Sequence, residues 1–97
     1  MGGDEFIILT SLTPFDTPAT LENYGQQIAQ TLNQTVVVGG QRAKLGASIG
    51  IAIHDGLLGV DNFISLADEA MYEAKRRGGG AHISPASVAL YAKRHAS

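Results

Sequence analysis

The spacing of apolar residues divides the chain into segments of different period. Residues 5–12 carry a short continuous apolar run, Phe6-Ile7-Ile8-Leu9, of strand length and far too short to cross a bilayer. Pro14 and Asp16 mark a loop over 13–17. Thr17 before Pro18 reads as an N-cap followed by proline at the first helical position. Leu21, Tyr24, Ile28 and Leu32 then recur at helical spacing and predict a helix to about residue 33 with one apolar stripe. Gly25 weakens that helix but permits close packing. Val36-Val37-Val38, the turn signal Gly39-Gly40 and a long strand over 42–54 predict a hairpin. In the long strand Ala47, Ile49, Ile51 and Ile53 share one face. Ser48, Gly50 and Ala52 form a small-residue face that suits an overlying helix or a ligand.

Asp55-Gly56 and Gly59 punctuate the next loop. Asp61 is the expected N-cap of a helix over 62–77, with a stripe of Phe63, Ala67, Ala70 or Met71, and Ala74. Glu73 and Arg77 form a favourably ordered i,i+4 pair on it. Gly78-Gly79-Gly80 ends it, residues 81–83 read as a short strand, and Ser84-Pro85 opens a last helix to about residue 94. The predicted order is β-α-β-β-α-β-α, an α+β or α/β sandwich with helices on a sheet.

Composition narrows the class. The chain has 97 residues, 44% apolar and 16% charged, which fits one small folded unit. A net charge of −2 gives no bulk attraction for nucleic acid or an anionic membrane. The absence of cysteine removes disulfides, thiolate metal sites and a cysteine nucleophile, and is compatible with the cytoplasm. The histidines His54, His82 and His95 lack metal-ligand spacing and read as surface or strand-end residues.

Two groups of residues could carry chemistry. In Gly2-Gly3-Asp4-Glu5-Phe6, two glycines admit a close ligand and two carboxylates follow at a strand start. Mg²⁺ takes such hard oxygen donors, usually together with substrate phosphate. By spacing alone the same residues make an ordinary turn. On the long helix Asp68, Tyr72 and Lys75 share a face, and Lys75 has the reach to meet a phosphate; the alternative is a solvated face. The triple glycine follows a helix C-terminus, so it reads as a cap and not as a phosphate loop.

Taken in order, GGDEF (2–6), SIGIA (48–52) and ADEAMYEAKRRG (67–78) resemble the signature of the GGDEF family over residues 2 to about 83. The resemblance implies a partial nucleotidyl-cyclase-like, ferredoxin-like palm over residues 1–83, with 84–97 a C-terminal helix or the start of a linker. It implies two GTP-loaded domains facing each other as a homodimer. The 3′-hydroxyl of each GTP attacks the other's α-phosphate, giving cyclic di-GMP and two pyrophosphates, with Mg²⁺ or Mn²⁺ as cofactor. Asp4 matches the metal-binding acid and Glu5 the second acid, both catalytic. Gly2 and Gly3 match the positions that make room for nucleotide, and Lys75 matches the lysine that contacts GTP phosphates. Asp68 and Tyr72 match positions with a structural role. No nucleic acid and no membrane contact is implied for this segment, and a cytoplasmic site is.

Two departures bear on activity. The family helix ends Lys-x-x-Gly-Arg-Asn, whereas here Gly79 and Gly80 replace the arginine and asparagine. Arg76 or Arg77 is then the candidate substitute for a phosphate contact. The family's upstream half, with a further metal aspartate, guanine contacts and an RxxD inhibitory site, has no counterpart in the sequence. The expectation is an inactive segment of a diguanylate cyclase. Its sheet should leave an unpaired edge and exposed apolar surface through which the chain self-associates. The alternative is a degenerate GGDEF domain that binds GTP as a regulatory or dimerisation module, in a protein that also carries an EAL-type phosphodiesterase domain.

Overall fold

A computed structural model describes residues 4–95, with backbone only at 34–36, 38 and 42–45. The elements are β1 (Asp4–Thr10), α1 (Pro18–Leu32), β2 (Gln34–Val38), β3 (Gln41–Leu45), β4 (Ala47–Ile53), α2 (Val60–Arg76), β5 (Gly80–Ile83) and α3 (Pro85–Arg94). The expected order is modified at one place. The long strand over 42–54 is broken at Gly46 into β3, which pairs antiparallel with β2, and β4, which joins a separate parallel sheet of order β1-β4-β5. The main layer is therefore α/β, with three parallel strands alternating with helices. The β2–β3 hairpin turns through Gly39 and Gly40, both at positive φ, and packs chiefly on itself.

β4 is the centre, with all seven residues buried. Its two faces meet different helices, as the alternation predicts. Ile49 and Ile51 join Ala29 of α1 and Ala81 of β5 in one cluster, with Ile8 and Ile83 packed against it. On the other face Gly50 lies directly under α2. A Cβ there would strike the Ala67 carbonyl oxygen and the backbone nitrogen and Cβ of Met71. Helices α1 and α2 thus cover opposite faces, although both connections step the same way across the sheet. The two crossovers therefore have opposite hands, one of them against the usual right-handed preference.

The helices bury small residues. α2 buries Ala67, Ala70, Met71 and Ala74, as its stripe predicts, while Phe63 is half-buried with its ring edge-on to His54 at 4.9 Å. α1 differs from expectation. Its buried residues are Gly25 and Ala29, and Tyr24, Ile28 and Leu32 of the predicted stripe are exposed. The reason is close approach: a Cβ on Gly25 would come within 2.7 Å of Ile51 Cδ1 and 2.8 Å of Ala81 Cβ. The helix lies so near the sheet that its smallest residues must face down, which rolls the larger ones to one flank.

The helix ends follow local chemistry. Thr17 caps α1 in a reciprocal box with Thr20, and Pro18 is its first residue. Ser84 caps α3, again with proline first. The N-cap of α2 is Gly59, not Asp61, which lies in the first turn where its charge suits the helix dipole. At the far end Gly79 N–H donates to Ala74 O (2.9 Å) and Gly78 N–H to Lys75 O (3.0 Å), a Schellman closure. α3 is tied to the sheet by buried Ser87, whose Oγ accepts the Ile53 N–H at 3.1 Å.

Candidate functional site

The sequence-predicted residues gather at the end of the sheet where the parallel strands begin. β1 starts with Asp4, whose N–H donates to Gly46 O at 2.9 Å and so ties the strand to the entry of β4. Beside it, the triple glycine turns from α2 into β5. Gly78, Gly79 and Gly80 all have positive φ, and a Cβ on Gly79 would lie 3.2 Å from Ala47 O. Arginine at 79 would therefore be strained, which accounts for the glycine there.

Lys75 stands in the last turn of α2, where a cation suits the negative end of the helix dipole. Its Nζ donates to Glu5 Oε2 at 3.2 Å, joining residues 70 apart in sequence. Both side chains are about half exposed, so the pair opens readily to an incoming anion. Neither the strand pattern nor the helix pattern alone indicates this contact. The register that brings it about is Glu5 opposite Ser48, on the β4 face that α2 covers.

Asp4 and Glu5 do not converge. Successive strand residues point to opposite faces, so Glu5 shares the α2 face with Ile7 and Leu9, and Asp4 shares the other with Phe6 and Ile8. Among the described residues no group of three or more His, Asp or Glu side chains could hold a metal. The donors present suit a Mg²⁺ whose ligands come mainly from substrate phosphates, with one carboxylate added, and do not suit a cation caged by protein alone. Gly2 and Gly3 lie outside the described residues. Asp68 and Tyr72 are exposed on α2.

Arg76 and Arg77 both pair with Glu73. Arg76 Nη2 lies 2.6 Å and Arg77 Nε 3.0 Å from Glu73 Oε1, and Arg77 also approaches His82. The Arg76 hydrogen bond, followed by that of Arg77, holds the Glu73 carboxyl below its ordinary value, and Glu73 raises Arg76 in turn.

At the opposite end of the strands sequence reasoning passed over Asp55, a buried carboxylate. Its Oδ1 accepts the N–H of Leu57 (2.9 Å) and of Leu58 (2.8 Å). The Leu57 bond is the chief reason its pKa is lowered, against burial and with help from Leu58 and Arg94. An Asp-Gly pair between a strand and a helix was the available signal.

The chain matches the family described as "Diguanylate cyclase, GGDEF domain" over residues 1–81. It is similar to the diguanylate cyclase DosC of Escherichia coli K12, 40% identical over 78 residues, covering 79% of this chain and 16% of that protein. It is 34% identical over 77 residues to the diguanylate cyclase DgcM of the same strain, covering 79% of this chain and 18% of that protein. The bifunctional diguanylate cyclase/cyclic di-GMP phosphodiesterase MucR of Pseudomonas aeruginosa is 32% identical over 80 residues, 80% of this chain and 11% of its own length. The chain thus spans less than a fifth of these curated relatives. No solved structure matches. With its signature segments in order and more than four-fifths of its length matched, the chain belongs to the GGDEF diguanylate cyclase domain family.

Proposed function

We propose that residues 1–83 are the C-terminal part of a palm-like diguanylate cyclase domain, which joins two GTP into cyclic di-GMP with loss of two pyrophosphates. Residues 84–97 then lead away as a C-terminal helix or linker. The observation that most supports this reading is the meeting of Glu5 and Lys75 at 3.2 Å, from opposite ends of the chain, at the one rim where the signature segments converge. Lys75 turns from Glu5 to a phosphate oxygen of GTP, and this exchanges one exposed ion pair for another at little cost. Asp4 would supply a carboxylate ligand to a divalent ion. Glu5, released by Lys75, would support that ion or accept the proton of the attacking 3′-hydroxyl. Gly2 and Gly3 leave room for the nucleotide. Mg²⁺ or Mn²⁺, when bound, would neutralise the triphosphate charge. Two domains, each with one GTP, face each other for the reaction, which takes place in the cytoplasm where GTP is supplied.

In this reading the 97 residues alone are inactive, because the further metal aspartate and the guanine contacts of the family are not among them. Purified chain with GTP and Mg²⁺ should yield no cyclic di-GMP, and product formation at a rate typical of whole domains would refute that.

A second reading is favoured by Gly79, Gly80 and the capture of both Arg76 and Arg77 by Glu73. Here the domain binds GTP as a regulatory ligand or serves dimerisation, beside a phosphodiesterase domain of the kind that MucR's name records. Calorimetry and turnover on a longer protein carrying this segment separate the two. Turnover abolished by Asp4→Ala identifies the cyclase; GTP binding without product identifies the regulatory module.

A further inference from the structure

Two half-buried side chains of α1 stitch it to the outer edge of β5. Gln26 Nε2 donates to Ala81 O (2.8 Å) and its Oε1 accepts the Ala81 N–H (3.2 Å). Glu22 Oε2 accepts the Ile83 N–H at 3.1 Å. Gly25 makes this possible. A Cβ there would lie 2.8 Å from Ala81 Cβ, so α1 comes down onto β5 at Ala81. One side-chain amide thus takes up both backbone groups of a residue 55 positions away, as an antiparallel neighbour strand would.

Ala81 follows directly on the triple-glycine turn, whose residues have the greatest backbone freedom and no side chain to pin them. The turn is therefore held from its ends. At the α2 end, Gly78 N–H and Gly79 N–H close on Lys75 O and Ala74 O. At the β5 end the strand is gripped from both sides. Ser48 and Ile49 of β4 pair with Gly80 and Ala81 on one side. On the other side Gln26 bonds Ala81, and its Oε1 would lie 3.0 Å from a Cβ on Gly80. Lys75 stands one hydrogen bond from this turn. Its ion pair with Glu5 is exposed and weak, so the direction in which it projects is set by the backbone of the last turn of α2.

We propose that Gln26 is a positioning residue for the phosphate contact of Lys75. By holding Ala81 it fixes the triple-glycine turn, and through that turn the end of α2 on which Lys75 stands. This rests on the reading of Lys75 given above. The role requires an amide. A carboxylate at position 26 still accepts the Ala81 N–H, but its second oxygen faces Ala81 O with no proton between them. Leucine offers neither donor nor acceptor. Glu22 has no such role, because Ile83 lies three residues beyond the turn and its bond holds only the strand.

The test is GTP affinity, measured by calorimetry with Mg²⁺ on a longer protein carrying this segment. Lys75→Ala should weaken binding, and Gln26→Leu should weaken it at least about threefold. The two losses should not add. In the Lys75→Ala background Gln26→Leu should change affinity by less than about twofold, because its effect passes through the lysine. Gln26→Glu should share the loss, whereas Glu22→Ala, which also loosens α1 from β5, should bind like the parent. A folded Gln26→Leu with parental affinity overturns the proposal. So do additive losses in the double variant, or an equal loss in Glu22→Ala, either of which makes Gln26 a structural residue only. In those outcomes the reading of Lys75 stands. A parent that does not bind GTP, or Lys75→Ala with parental affinity, overturns that reading and this proposal with it. If Gln26→Leu loses its circular dichroism, Gln26→Glu takes its place in the same cycle.

Discussion

β1 and β5 flank the same central strand and run parallel to it, yet they are finished differently. β5 is four residues long, and α1 side chains bond its free edge. β1 is seven residues long and mostly apolar, but it is largely exposed. Length and hydrophobicity would rank β1 as the better buried strand. What decides is cover: α1 sits over β4 and β5, and α2 packs chiefly on β4 and less on β1, where Lys75 meets Glu5. Of the three strands of this sheet, the one that carries the signature acids is thus the least enclosed.

The largest expected effect lies at the strand that both outer strands depend on. Gly50→Ala would drive a Cβ into backbone atoms of Ala67 and Met71, which cannot move aside as side chains do. We expect a loss of about 3 kcal/mol or more, with β1 and β5 failing together in urea or thermal unfolding. Near-normal stability would mean that the α2–β4 approach is looser than described.

Gln26→Leu tests the sealed edge. It leaves the Ala81 N–H and C=O without their partner and should cost about 1–3 kcal/mol. Unchanged stability would mean that these two bonds do little to hold the β5 edge.

Asp55 lies beyond the end of β4 and should serve both sides equally. Its native pKa is lowered, so its contribution to stability is full above the ordinary aspartate range and is lost as pH falls through the lowered native value. Acid unfolding of Asp55→Asn should show a flatter pH dependence than the parent, with no preference for either edge. An unchanged acid profile would contradict this.

The smallest effect on stability belongs to Lys75→Ala, within about 0.5 kcal/mol, since it breaks only an exposed pair. If the proposed role is right, GTP affinity falls while the unfolding curve hardly moves. A large stability loss would make Lys75 a structural residue.

Much of the fold was legible locally. The two faces of β4, the caps at Thr17 and Ser84 and the alanine stripe of α2 follow from period and end chemistry, which depend on near neighbours. The misreadings have non-local causes. Gly46 breaks the long strand because its two halves pair in different sheets. α1 rolls off its larger apolar residues because the sheet approaches Gly25 too closely. In the site, the sequence singled out Glu5 and Lys75 separately, and their contact depends on the β1–β4 register. Glu22 and Gln26 looked like ordinary solvent-facing helix residues, since only the location of β5 gives them a task.

The central claim, that this segment carries a working half of a cyclase site, is tested most directly by cyclic di-GMP formation in a chimera. Residues 1–81 would replace the matching segment of DosC, to which the chain is 40% identical over 78 residues. Product should form from GTP and Mg²⁺, be lost on Asp4→Ala and be strongly reduced on Lys75→Ala. A folded chimera that binds GTP and makes no product would contradict it and leave the regulatory reading in its place.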